Sequence, residues 1–398
     1  MRTLSEIELA KEIGERKEVN LIAFATTPWH ALGVNATIHH LKQQNINLCG
    51  YIVIMPHQVT GVGLGKENFL IEEFDDIQVV LWGRNNREKE NVAEKLWRKT
   101  KEVGSELKYY LSYTKFRTDL RTLYWLVPLK PSFQMIPKMA SFKSNIWTEI
   151  ILIDEGLGTY LNSDWIWTKV AFQEGGIVAG IRELFQNMII NRFYMWRLNV
   201  RKQVHYHQLF VKENGKFVQN LVAVESFRYV AKKQYGRMKH EQYEKAVIIN
   251  GDLLSEVGII KSDADLKVYK EVCNELIEKK IPIILKPHPR FRHLERYNEL
   301  RCEIDRNQGV ALESILAGVK KKPLCIIGVD STSLVTANIL FGVKAIGISD
   351  MFLDDNLYKQ KRFTNFKRAF SDVVEFPDTV QKLIQQIEEA ATEEGNIV

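Results

Sequence analysis

The sequence predicts an α/β protein of two doubly wound domains. Short apolar runs alternate with helical stretches in both halves of the chain, the pattern of parallel sheets with helices on both faces. The chain has 398 residues, enough for two domains of ordinary size. Between residues 237 and 244 it turns polar, and a fresh apolar run, Ala246-Val247-Ile248-Ile249, then opens the second half. The expected division is 1–242 for an N-terminal domain, 243–370 for a C-terminal domain, and 371–398 for a terminal helical segment that packs back on the N-terminal domain.

In the first half, strands are expected at 19–25, 48–55, 78–82, 109–113 and 148–153. Thr26-Thr27-Pro28-Trp29-His30 closes the first strand and opens a helix to residue 41. Residues 86–106 read as another helix, and one more lies between the last two strands. Residues 176–200 are aromatic and basic: Phe185, Phe193, Tyr194 and Trp196 interleave with Arg182, Arg192 and Arg197, and Arg201 follows. The plain reading is an amphipathic helix packed on the sheet; the functional readings are a membrane-surface segment or an acceptor groove. In the second half, strands are expected at 246–249, 281–285, 324–329 and 345–348, and helices at 263–279, 312–317, 334–341 and 378–391.

Composition excludes several classes. The hydrophobic share is 45% and the charged share 26%, ordinary for a soluble globular protein. The first twenty residues are charged and do not read as a signal peptide, and no run of 18 apolar residues suggests a spanning helix. The four cysteines are scattered without a CxxC pair, which argues against a structural zinc site or a disulfide framework and for a cytoplasmic protein. The formal net charge of +6 is uneven: from Arg182 to His240 there are twelve Lys and Arg against three Asp and Glu. A basic middle fits an anionic partner, although a solvated basic surface is the commoner meaning of a charge run.

Three stretches carry chemistry. Ile281-Pro282-Ile283-Ile284-Leu285 runs into Lys286-Pro287-His288-Pro289, whose prolines end the strand and hold the chain extended. That places His288 at the carboxyl end of a buried strand, the edge where ligands bind in open α/β sheets. A second strand breaks at Asp330-Ser331-Thr332-Ser333, three hydroxyls at a helix start that suit a phosphate. A core histidine and an ordinary Ser/Thr cap are the plain alternatives. Third, Ile150-Ile151-Leu152-Ile153 leads into Asp154-Glu155-Gly156, two carboxylates at a strand end or, more plainly, a turn.

Weaker signals are set aside. Gly61 to Lys66 is one residue short of a Walker loop and has Glu67 where Ser or Thr belongs, so only Lys66 is kept as an anion contact. His39-His40 and His205-x-His207 have no third ligand to make a metal site. No Asp-x-Asp stands at a strand end of the second half to hold a nucleotide diphosphate through a metal.

Asp154-Glu155-Gly156 resembles the D/E-D/E-G motif of bacterial sialyltransferases, Pro287, preceded by Lys286 and followed by His288-Pro289, their HP motif, and Ser331-Thr332-Ser333 their paired Ser/Thr motif, in the same order. The chain is most similar to the capsular polysialyltransferases, in which Thr26-Thr27-Pro28 and Leu157-Gly158-Thr159-Tyr160 also have counterparts. The resemblance implies the GT-B type: two Rossmann-like domains facing each other across a cleft. It also implies CMP-sialic acid as donor, inversion, and neither metal nor cofactor. On that footing Glu155 is the base for the acceptor hydroxyl, with Asp154 orienting it, and His288 protonates the leaving phosphate. Lys286, Pro289, Glu313, Ser331, Thr332 and Ser333 are expected to bind donor, with Glu313 on the ribose. Thr27, His30, Lys66, Arg192, Arg197 and Arg201 are expected to meet an anionic oligo- or polysialic acid. Capsule synthesis on the cytoplasmic face of the inner membrane, with peripheral contact to the membrane or to assembly proteins and none to nucleic acid, completes the expectation. The rivals are a lipooligosaccharide sialyltransferase, another GT-B transferase of capsule or wall polymers, and a non-catalytic polysaccharide- or nucleotide-binding module.

Overall fold

The computed structural model describes residues 2–4, 9, 12, 19–55, 64–74, 76–82, 123–128, 148–154, 156, 160, 177, 181, 200–205, 207–213, 216–251, 254–255, 259–261, 263–288, 291, 294–307, 310–353 and 357–393. The chain forms two compact units. The first comprises Met1–Pro56, Leu64–Glu155 and Asn162–Gln208, and the second His57–Gly63, Gly156–Leu161 and Leu209–Val398.

The first unit is built on a parallel sheet. Its strands are β1 (Arg2–Leu4), β2 (Leu21–Ala25), β3 (Cys49–Ile54), β4 (Asp76–Trp82), β5 (Leu123–Pro128), β6 (Thr148–Ile153) and β7 (Val200–His205), in the order β1-β4-β3-β2-β5-β6-β7. β2 and β3 are buried throughout, as strands covered on both faces must be. Helix α1 (Pro28–Gln43) starts from Thr27, whose hydroxyl accepts the His30 N–H at 3.2 Å, and Pro28 occupies the position that needs no amide. Ala31, Val34, Ile38 and Leu41 recur at helical spacing and pack with Ile52, Ile54, Leu126, Ile151 and Ile153 in one core. Strand order reverses at β2, which has β3 on one side and β5 on the other.

The second unit repeats the scheme. Strands β10 (Val247–Asn250), β11 (Ile283–Lys286), β12 (Glu303–Ile304), β13 (Cys325–Gly328) and β14 (Lys344–Gly347) are parallel in the order β12-β11-β10-β13-β14. The preceding hairpin, β8 (Phe210–Glu213) and β9 (Lys216–Gln219), is antiparallel. The helices are α2 (Leu221–Tyr235), α3 (Ala264–Glu278), α4 (Leu312–Gly318), α5 (Thr332–Phe341), α6 (Leu357–Phe370) and α7 (Val380–Glu393). Here the order reverses at β10, between β11 and β13.

Two organisational expectations are replaced. The boundary falls at Gln208/Leu209 instead of 242/243, because α2 packs on α4 and α5 of the second unit and Arg228 donates to the carbonyls of Leu340 (2.8 Å) and Ile339 (2.9 Å) at the end of α5. The terminal helix joins the second unit and not the N-terminal domain: Leu383, Ile384, Ile387 and Ala391 of α7 lie in one apolar cluster with Tyr269, Val272 and Leu276 of α3. The helix expected at 86–106 and the strand at 109–113 lie outside the described residues.

This packing gives a stability test. Ile387 is fully buried, so Ile387→Ala should cost about 2–5 kcal/mol, the usual range for truncating a core isoleucine. Urea denaturation followed by circular dichroism measures it, and a loss within a few tenths of a kcal/mol would remove α7 from the core.

Candidate active site

In the second unit the ends of β10, β11 and β13 come together at the point where strand order reverses, the standard ligand crevice of an open α/β sheet. The amide of Gly251, just past β10, donates to Lys286 O at 2.9 Å. A Cβ on Gly251 would sit 3.4 Å from Pro287 Cα, so the β10 end and the Pro287-His288 turn are in van der Waals contact. Pro287 is buried and His288 half-buried; the His288 carbonyl accepts the Phe291 amide at 2.9 Å, which closes the turn. Past β13, Val329 and Asp330 are buried, and Ser331 caps α5 by accepting the Ser333 amide at 3.3 Å. Ser331, Thr332 and Ser333 are each partly exposed at this helix start. The positive end of the helix dipole thus opens at the crevice, beside hydroxyls.

Lys286 points elsewhere. Its ammonium is 3.0 Å from Asp305 Oδ2 and donates to Asn307 O at 2.5 Å, and its side chain is 3% exposed. Tyr243 donates its hydroxyl to the same Asp305 oxygen at 2.5 Å. Burial alone would push Asp305 up, but the Tyr243 hydroxyl, the Asn307 amide and the Lys286 ammonium hold it below the ordinary carboxylate value. The lysine expected to meet the donor therefore lies in a buried ion pair, because β12, the next strand over, delivers Asp305 beneath it. Its observed part is to hold the end of β11, two residues before His288.

Glu313 is likewise turned inward. It sits in the first turn of α4, buried, and accepts from the Thr336 hydroxyl at 2.7 Å. Burial raises its pKa, against the hydrogen bonds from Thr336, its own backbone and Ser333. The solvent-facing alternative for Glu313 is thereby excluded: the residue fastens α4 to the opening turns of α5.

In the first unit, Asp154 follows β6 and is completely buried. Gly156, which belongs to the second unit, adopts φ +92°, and a Cβ there would lie 2.6 Å from Thr332 Oγ1 of the same unit. At the first unit's own reversal point, Thr27 caps α1, and His30 is buried with Nδ1 2.8 Å from Thr26 Oγ1. Lys66 is exposed on a short 3-10 turn, Lys66–Asn68. That turn is fastened to α1 by Asn35, which donates to Asn68 O at 2.9 Å and accepts the Leu70 amide at 3.4 Å.

The description of the alpha-2,8-polysialyltransferase family matches residues 21–348. The chain belongs to that family. It is accordingly a glycosyltransferase, a sialyltransferase with a sugar-nucleotide donor and a polysialic acid acceptor. None of the curated proteins compared matches it. Among solved structures it is similar to an E. coli heptosyltransferase with ADP (12% identity, 94% of this chain and 100% of that one, TM-score 0.41). It is also similar to Acinetobacter baumannii MurG (11%, 95% and 94%, 0.40) and to S. aureus MnaA with UDP (8%, 96% and 98%, 0.44).

Within this polysialyltransferase the motif residues are unevenly visible. Glu155, Pro289, Arg192 and Arg197 lie outside the described residues, as does the side chain of Arg201 on β7. The basic middle, expected to form one acceptor groove, is divided between the units, with α2 and its Arg228 in the second. Sequence reading missed Asp305, Tyr243 and Arg362; their partners are remote in sequence and no local signal marks them. His40 stacks on His207 with ring centroids 4.4 Å apart, and burial, then His40 and His39, pull His207 down to about 3. Among the described residues no three His, Cys, Asp or Glu side chains converge as metal ligands, and no helix is long and apolar enough to cross a membrane.

The raised pKa of Glu313 sets a pH test. Its contribution to stability is complete below the unfolded value of 4.5 and is lost as pH rises through the folded value. Glu313→Gln, neutral at every pH, should therefore gain in melting temperature relative to wild type as pH is raised from 4 to 8. A relative loss over that range would contradict the buried placement.

Proposed function

We propose that the chain transfers sialic acid from CMP-sialic acid to the non-reducing end of oligo- or polysialic acid, with inversion and without a metal ion. The observation that carries this reading is the second-unit crevice, where the His288 turn and the hydroxyl-lined start of α5 follow the two strands that flank β10 at the strand-order reversal. A nucleoside monophosphate suits such a place. Helix-start amides and the Ser331 and Thr332 hydroxyls stabilise the phosphate oxygens as charge develops on them. A monophosphate leaving group has one charge fewer than a diphosphate, so an imidazolium and a helix dipole can take the place of a divalent cation.

The acceptor hydroxyl attacks the anomeric carbon as the bond to the CMP oxygen breaks. His288 gives a proton to the departing phosphate, and a carboxylate takes the hydroxyl proton. Asp154 has no exposed surface, so the carboxylate that meets the acceptor is assigned to Glu155 and Asp154 orients it. Glu313 and Pro289 are assigned to the donor, Glu313 supporting the ribose. The acceptor, one carboxylate per sugar, is assigned to Thr27, His30 and Lys66 with Arg192, Arg197 and Arg201. Capsule polysaccharide synthesis on the cytoplasmic face of the inner membrane is the setting this reading implies.

Incubation with CMP-sialic acid and a labelled oligosialic acid in excess EDTA should lengthen the acceptor and release CMP. His288→Ala and Glu155→Gln should each lower turnover at least about a hundredfold, the scale of a lost general acid or base, with circular dichroism unchanged. A folded variant that retains near-normal turnover refutes that residue's role. Activity lost in EDTA and restored by a divalent ion refutes the metal-free mechanism, and transfer from CDP- or UDP-linked donors alone refutes the donor.

A further inference from the structure

Helix α6 carries two cations to the carboxyl edge of the second sheet. Arg362 grips Asp330 with both Nε and Nη2, the second bond measuring 3.1 Å. Lys367, just over a turn further on, meets Asp350 past β14 at 2.5 Å. Between the two cations on the same face of α6, Phe363, Phe366 and Phe370 anchor the helix, each at most 1% exposed. Phe366 and Phe370 also meet Phe376, Tyr160 and Phe210 ring to ring. The helix is thus a rigid support, and its arginine ends on the residue directly before the Ser331 cap.

Asp330 leaves the end of β13 with its side chain 1% exposed, while the Arg362 side chain is 24% exposed. Burial pushes the Asp330 carboxyl up and Arg362 pulls it back down. A carboxylate in that position needs a planar, two-pronged partner, and guanidinium supplies one where an ammonium cannot. The fork fixes Asp330 in two directions at once, and the next peptide begins the Ser331-Thr332-Ser333 turn.

We propose that Arg362 is a positioning residue for donor binding: through Asp330 it sets the start of α5 where the donor phosphate is taken up. The inference rests on the donor reading above and adds a residue that no motif marks. Arg362 itself touches no substrate in this assignment. The consequence is selective. Loss of the fork loosens the Ser331 cap and weakens binding of a cytidine monophosphate, while acceptor binding, assigned to the first unit, is untouched.

The test uses the full chain and CMP as probe, with titration calorimetry for CMP and separately for an oligosialic acid. Arg362→Met and the charge-keeping Arg362→Lys should each weaken CMP binding about tenfold and leave oligosialic acid binding unchanged; in turnover, the donor KM rises more than kcat falls. Lys367→Met, on the same helix, should leave CMP binding as in wild type. Should Arg362→Met not fold, Arg362→Lys decides alone. Arg362 variants that bind CMP like wild type overturn the proposal and leave the donor reading standing. Equal weakening by Lys367→Met also overturns it, since that would be general loosening of α6. A wild-type protein that binds no CMP overturns the donor reading, and the proposal with it.

Discussion

A parallel sheet whose strand order reverses must part its loops at the reversal, and the second unit depends on that constraint. The chain runs outward from β10 through β11 to β12 and then crosses to β13 on the other side of β10, so the strand order reverses at β10, the standard place for a ligand crevice. Each residue that matters chemically there lies within three residues of a strand end: Gly251 past β10, Pro287 and His288 past β11, Asp330 and Ser331 past β13. The first unit obeys the same rule at β2, with Thr27 and His30 at its edge.

Buried charge at this edge supports the site from behind. Lys286 with Asp305 and Tyr243, and Asp330 with Arg362, are pairs whose desolvation offsets much of their attraction. Removing one partner of such a pair typically costs about 3–5 kcal/mol, because the other charge stays buried. Their value lies in direction: they fix the loops that carry His288 and Ser331. Gly156 adds a third restraint, since a side chain there would displace Thr332.

The elements legible in the sequence were those whose signal is local. Apolar runs marked β2, β3, β10, β11 and β13, and Thr27-Pro28 and Ser331 announced their helices by capping chemistry alone. β7 escaped because Val200–His205 is an edge strand with Arg201, Lys202 and Gln203 at its centre, a polar run without the apolar signal of a strand. β5, Leu123–Pro128, lies where a helix was expected between residues 113 and 148, and α2 went unread although Asn220 caps it well. The apolar face of α7 was visible, but not the unit it would cover. The same limit applies to the site: Lys286 and Glu313 were found as residues, but Asp305, Tyr243 and Thr336 decide where their side chains turn, and those contacts form only on folding.

The central claim is that the second unit holds the donor phosphate between the His288 turn and the start of α5. Hydrogen exchange of the whole protein with and without CMP measures this directly. The account predicts slowed exchange at the amides of residues 332–334 and around 288–291. Protection confined to the first unit, with the α5 start exchanging as before, would contradict it.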